Sequence, residues 1–183
     1  MTNRHILLTG PPGVGKTTVI KKSCELLNSK SLKYHGFFTE EIKRGRERVG
    51  FDVVTTEGNR STLARVSSSD QSSRGLPKVG KYLVDVSSFE KLALPVFDSP
   101  VPSVLILDEI GKMELFSHSF SEKTKKAFNE GNFKILATIP IAKKALPFVD
   151  ELRNRKDCTL VQVTRENRND LPSEIVEQLL KMK

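Results

Sequence analysis

The chain opens with a short apolar run, residues 5–9, that stops at a glycine-rich loop. From Thr17 to Leu27 the spacing changes. Ile20, Cys24 and Leu27 recur at helical intervals, with Lys21, Lys22 and Glu25 between them. Residues 36–42 and 48–55 are two strand-like runs around a charged turn containing Gly45, the signature of a hairpin. Residues 61–66 suit a further strand, and the polar, serine-rich stretch 67–73 suits a loop. Segment 36–80 therefore reads as a β-rich insertion. Residues 82–86 predict a strand, followed by a helix that a Ser87/Glu90 capping box would start and Pro95 would end. The continuous apolar run 103–107 suits a parallel strand covered on both faces. The pattern then predicts a helix over 114–129 with Phe116, Phe120, Ala127 and Phe128 inward and Gly131 as its stop. A buried strand at 133–139, a short helix at 146–154 and a strand at 158–163 come next. The last helix, 171–182, turns Ile175, Val176, Leu179 and Leu180 to one face. Strands alternating with helices indicate an α/β protein with a mostly parallel sheet.

Length adds that one domain, 1–183, accounts for the chain with 36–80 inserted in it. Apolar residues make up 37% and charged residues 28%, which fits a globular protein and excludes a disordered tail. No apolar run approaches the ~20 residues of a membrane span, and residues 5–8 are too short for a signal-peptide core. Cys24 and Cys158 sit in apolar segments and read as reduced core thiols, so the expected location is the cytoplasm, with the nucleus as an alternative. The formal charge of +8 raises the question of nucleic acid. The cations are scattered in pairs, with few aromatics among them, which argues against nucleic acid as the main partner.

The chemistry starts at Gly10-Pro11-Pro12-Gly13-Val14-Gly15-Lys16-Thr17, followed by Thr18. Glycines at these positions let the backbone curl and aim N–H groups at phosphate oxygens. The next helix adds the positive end of its dipole, Lys16 can bridge the β- and γ-phosphates, and the Thr17 hydroxyl can coordinate Mg²⁺. The second half is Val104-Leu105-Ile106-Leu107-Asp108-Glu109, a buried strand ending in carboxylates. Asp108 would hold Mg²⁺ through water, and Glu109 would orient or deprotonate an attacking water. Glu109 could instead pair with a lysine. The arrangement resembles the P-loop branch with an additional strand and a catalytic glutamate, in which a polar residue ending the neighbouring strand senses the γ-phosphate; Thr138 matches that position, or is an ordinary strand-end threonine.

Segments 9–18, 36–42, 50–54, 107–115, 153–156 and 163–168 together resemble the family of cancer-related and thermophile-type nucleoside triphosphatases. Asp108-Glu109-Ile110-Gly111-Lys112-Met113-Glu114 is the most characteristic stretch, and the likeness covers essentially the whole chain. The resemblance implies the three-layer P-loop NTPase (RecA-like) fold. It also implies a slow, Mg²⁺-dependent hydrolase of ATP, GTP and other nucleoside triphosphates with loose base preference. The nucleotide segments would fall on Gly10–Thr17 and Val104–Gly111. A monomer is expected, since no coiled coil is visible.

Two further sets of residues are candidates. Arg153 and Arg155 precede a strand and could bring a positive group to the γ-phosphate. Residues 164–168, with Asn167 and Arg168, follow a strand and could line the base and ribose. Two other functions share the phosphate loop: a nucleotide or nucleoside kinase, with Lys43, Arg44, Arg46 and Arg48 as a lid, and a nucleotide-dependent switch or RNA-associated ATPase.

Overall fold

The computed structural model describes residues 3–67, 75–98, 104–130, 133–141 and 146–182. Nine strands form one sheet: β1 (His5–Thr9), β2 (Tyr34–Arg44), β3 (Glu47–Thr55), β4 (Arg60–Val66), β5 (Lys78–Val79), β6 (Tyr82–Val84), β7 (Val104–Leu107), β8 (Lys134–Thr138) and β9 (Cys158–Gln162). Their order across the sheet is β5-β6-β4-β3-β2-β7-β8-β1-β9. The pairs β2·β7, β7·β8, β8·β1 and β1·β9 are parallel, and those from β2 outward to β5 are antiparallel.

The helices are α1 (Lys16–Ser29), α2 (Val86–Ala93), α3 (His118–Glu130), α4 (Pro147–Arg153) and α5 (Leu171–Lys181). Strand alternation sends successive side chains to opposite faces. Leu7, Leu105, Leu107, Ile135 and Ala137 share a core with Phe89 of α2, Phe120 and Phe128 of α3, and Val149 and Leu152 of α4. Ile6, Leu8, Ile106 and Leu136 share another with Val19, Ile20, Cys24 and Leu27 of α1 and Ile175, Val176 and Leu179 of α5. Each Val, Leu, Ile and Phe side chain among these contributes about 1.5–3 kcal/mol by leaving water. Both faces of β1, β7 and β8 are covered, which is why they read as largely apolar runs. The layering is helix–sheet–helix, as expected.

The insertion is continuous with this sheet. Residues Tyr34–Phe37 of β2 pair in parallel with Val104–Leu107. The strand then runs on past the end of β7 and pairs antiparallel with β3 as far as Arg44. One strand therefore belongs to both halves.

Five local expectations are corrected. α2 is capped by Asp85, whose carboxylate accepts the Ser88 N–H at 2.9 Å and the Ser88 hydroxyl at 2.8 Å. Ser87 falls inside the helix and β6 ends earlier, at Val84. The single helix over 114–129 is two pieces, a 3₁₀ turn (Glu114–Phe116) and then α3, because the Ser117 hydroxyl accepts the Phe120 N–H at 3.0 Å and starts a new helix. That break turns Phe116 outward, 38% exposed. Leu180 also faces out, past the edge of the α5 core stripe. The serine-rich segment from 68 onward and Gly131 lie outside the described residues. Among the described residues no helix is long and apolar enough to cross a membrane, and both cysteines are free thiols.

Candidate functional site

The glycine loop lies between β1 and α1, at the carboxyl edge of the parallel strands. The backbone there leaves no room for a side chain at Gly10, where a Cβ would sit 2.9 Å from the Val163 carbonyl oxygen. Gly15 has φ +109°, a conformation that side chains disfavour. α1 begins at Lys16 with no side-chain cap on Gly15 and no acid in its first turn. Its opening N–H groups and positive dipole end are therefore open to an anion. Lys16 Nζ donates to the Gly10 carbonyl at 2.9 Å and lies 4.0 Å from Glu109 Oε2.

β8 stands between β1 and β7 in the sheet. Its last residue, Thr138, is fully buried and donates its hydroxyl to Asp108 Oδ1 at 2.5 Å. Asp108 is itself 1% exposed, and burial pushes its carboxyl above the usual range. The Thr138 and Thr17 hydroxyls, then Lys16 and Lys21, oppose that shift by favouring the charged form. Glu109 is pushed up to about 7, first by burial and further by Asp108, with Lys16 pulling the other way.

Glu114 escaped the sequence reading. In a charged stretch it resembles any solvated acid opening a helix. The 3₁₀ turn folds it inward to 4% exposure, where Oε2 accepts the Gly111 N–H at 3.1 Å. Burial holds its carboxyl well above the usual range, and the neighbouring Glu109 adds to this.

Asp108 Oδ2 is buried and accepts no hydrogen bond. An orphaned carboxylate oxygen is costly unless something binds it. With the Thr17 hydroxyl facing the same carboxylate, the donors are hard oxygens of the kind Mg²⁺ takes. Among the described residues no cluster of three or more His, Cys, Asp or Glu could hold a metal. Mg²⁺ commonly binds one or two protein oxygens and takes the rest from phosphate and water.

The arginine candidates divide. Arg153 donates from Nη2 to the Pro140 carbonyl at 2.6 Å, and the Thr9 hydroxyl donates to that same oxygen at 3.3 Å. Its guanidinium thus stands beside the base of the glycine loop, with Nε buried and without a partner. Arg155 goes to the opposite edge. It holds both oxygens of Asp157, at 2.9 and 2.8 Å, and donates to the Asn129 side chain and the Phe128 carbonyl. Asp157 in turn meets the start of β1, where its carbonyl accepts the His5 N–H. The structure therefore does not bring Arg155 to the phosphate loop. Asn167 is occupied in its own turn, exchanging hydrogen bonds with Thr164 and donating to the Gln162 carbonyl. Those bonds shape its own turn. Arg168 does reach the site: Nη1 donates to the Val14 carbonyl at 3.2 Å, and its Cδ lies 3.5 Å from where a Gly15 Cβ would be.

The segment that the kinase alternative would make a lid is the expected hairpin of sheet strands, and Glu41 binds two of its four cations, Arg48 and Lys43. Glu40 ties β2 to α1 through Lys21 and to β4 through Arg60.

The family model for NTPase matches residues 5–176. The cancer-related nucleoside-triphosphatase of Homo sapiens is 48% identical over 180 residues, covering 94% of this chain and 95% of its own length. A nucleoside-triphosphatase of Natranaerobius thermophilus is 43% identical and covers 98% of each chain. Among solved structures, the human cancer-related nucleoside triphosphatase superposes with a TM-score of 0.83 at 47% identity, covering 98% of this chain and 100% of that one. The crystal structure of THEP1 from Aquifex aeolicus gives 0.81 at 35% identity, covering 96% and 98%.

Proposed function

The chain belongs to the NTPase family and is a nucleoside-triphosphatase, and from that premise we propose a slow, Mg²⁺-dependent phosphohydrolase that converts nucleoside 5′-triphosphates of any base to diphosphate and phosphate. The observation that carries this reading is the meeting of two separate segments. Lys16 of the glycine loop comes within 4.0 Å of Glu109 at the end of β7.

A triphosphate would lie on Gly10–Thr18 with its γ-phosphate between Lys16 and the strand end Val104–Gly111. Glu109 takes a proton from a water as the water oxygen bonds to the γ-phosphorus. The bond from that phosphorus to the bridging oxygen breaks, and its electron pair stays on the diphosphate. Thr17 and Asp108, the latter through water, would hold Mg²⁺, which when bound offsets negative charge on the β- and γ-phosphates. Thr138 keeps the Asp108 carboxylate oriented through its hydroxyl. Of Arg153 and Arg155, Arg153 is the one on the side of the γ-phosphate, since it shares the Pro140 carbonyl with Thr9. Arg168 can lie flat against base or ribose. A guanidinium face reads no base edge, which fits loose base preference. The protein works on free nucleotides as a cytosolic monomer.

The test is phosphate release from ATP, GTP, CTP and UTP by Glu109→Gln. Loss of a general base costs about 10²–10⁴-fold. Turnover should fall at least a hundredfold with every base while ATP binding, by calorimetry, changes by less than about threefold. Near-normal release would remove Glu109 from the role.

A further inference from the structure

We infer that Glu114 is a positioning residue for hydrolysis, anchoring the Gly111 backbone and through it holding the Glu109 carboxylate toward the attacking water. The inference rests on Glu109 acting as the base.

The backbone around Glu109 is pinned on both sides. Upstream, Asp108 accepts the Thr138 hydroxyl, and immediately after Glu109 the Ile110 N–H donates to the Thr138 carbonyl at 2.9 Å. Downstream, the Gly111 N–H donates to Glu114 Oε2 at 3.1 Å, and the Gly111 carbonyl accepts the Leu115 N–H at 3.0 Å. The turn from 111 to 115 is thus closed by the Glu114 side chain and by its neighbour's backbone. Gly111 also forms the floor between the two acids. A Cβ on it would fall 2.6 Å from Glu109 Oε1 and 3.0 Å from Glu114 Oε2. Any shift of Gly111 therefore bears directly on the Glu109 carboxylate.

Burying an acid to 4% exposure is costly, and a turn of three residues does not require it. A charged Glu114 would also repel Glu109. Burial favours its neutral form, which lessens like-charge repulsion while its oxygen accepts the Gly111 N–H beside the base. The residue types suit this role, with an acceptor on a turn, a glycine that leaves space, and a carboxylate that must not wander.

Two variants of similar volume separate positioning from packing. Glu114→Gln keeps an oxygen that accepts the Gly111 N–H; Glu114→Met fills the space and accepts nothing. A misplacement of about 1 Å at a reacting group can cost on the order of 10²-fold. The expected result is a kcat for Glu114→Gln within about threefold of the unmodified protein, and a fall of at least about tenfold for Glu114→Met. KM for ATP and the melting temperature should stay close to those of the unmodified protein in both variants. Equal loss in both variants, or a kcat for Glu114→Met within about twofold, would overturn the positioning role. So would a fall in kcat matched by weaker ATP binding and a lower melting temperature. Glu109→Gln is measured alongside. Normal turnover there would remove the base and this inference with it, whereas an inactive Glu109→Gln beside an active Glu114→Met would sink the positioning role alone.

Discussion

The two edges of the parallel sheet treat charge in opposite ways. At the amino edge Arg155, Asp157 and Asn129 satisfy one another around the ring of Phe128, over which the Arg155 guanidinium also lies at 5.5 Å. At the carboxyl edge Asp108 keeps a bare buried oxygen, two further acids stand close by, and Lys16 reaches 4.0 Å from Glu109 without a tighter bond. Completed pairing marks a structural joint. Charge left partly unmatched marks a place that awaits a ligand, because a protein gains nothing from burying such groups unless something else completes them.

The strongest way to break this contrast is to remove a cation from each edge. Lys16→Ala should lower phosphate release by at least about a thousandfold, since stabilisation of the transferring phosphoryl is lost. Its melting temperature should hardly change, because the Lys16 hydrogen bonds go to loop carbonyls, its ion pair with Glu109 is long at 4.0 Å, and it stands apart from the core clusters. A Lys16→Ala protein that hydrolysed ATP normally would erase the distinction.

The amino edge should instead answer to pH. His5 is fully buried in β1, where its Nδ1 accepts the Ile135 N–H at 3.2 Å. Burial lowers its pKa from 6.5 to about 4, against the pull of Asp157. The unfolded chain therefore binds a proton between those values that the folded protein does not. Stability should fall as pH drops from 6.5 to 4, by up to about 3 kcal/mol from this group. Urea unfolding across that window should show it, and the slope should flatten in His5→Gln. An unchanged slope in the variant would assign the pH dependence elsewhere.

The smallest effect sharpens the same contrast. Arg155→Ala should destabilise the fold by about 1.5–3 kcal/mol, the range for hydrogen bonds to charged groups. Its kcat for ATP should stay within about twofold of the unmodified protein. A large loss of turnover without loss of stability would return Arg155 to the catalytic edge.

These arginines also show what a sequence can and cannot convey. The glycine loop was legible because its residues are contiguous, and so was the acidic end of β7 after four buried residues. The layers followed from unbroken apolar runs. Arg153 and Arg155 are two positions apart and looked equivalent. The end of α4 and the turn after it send them to opposite edges, and only the packed structure decides that. Asp85 displaced Ser87 as a cap because a carboxylate could take both the N–H and the hydroxyl of Ser88. Glu114 was hidden for a related reason: its burial depends on a 3₁₀ turn where the periodicity suggested a continuous helix. The insertion was read correctly as strands, but its merger with the core sheet depends on β2 pairing with β7, far along the chain.

The position of β8 also works as a ruler. Because it separates β1 from β7, the glycine loop and the acidic strand end are held two strand spacings apart, about 9.5 Å. Backbone hydrogen bonds set that width, and they do not stretch to suit the side chains above and below. Substitutions in either core can loosen the protein, yet they have little leverage on the gap across which a phosphate group would be held. A change of reach at this site has to come from the side chains that project into the gap.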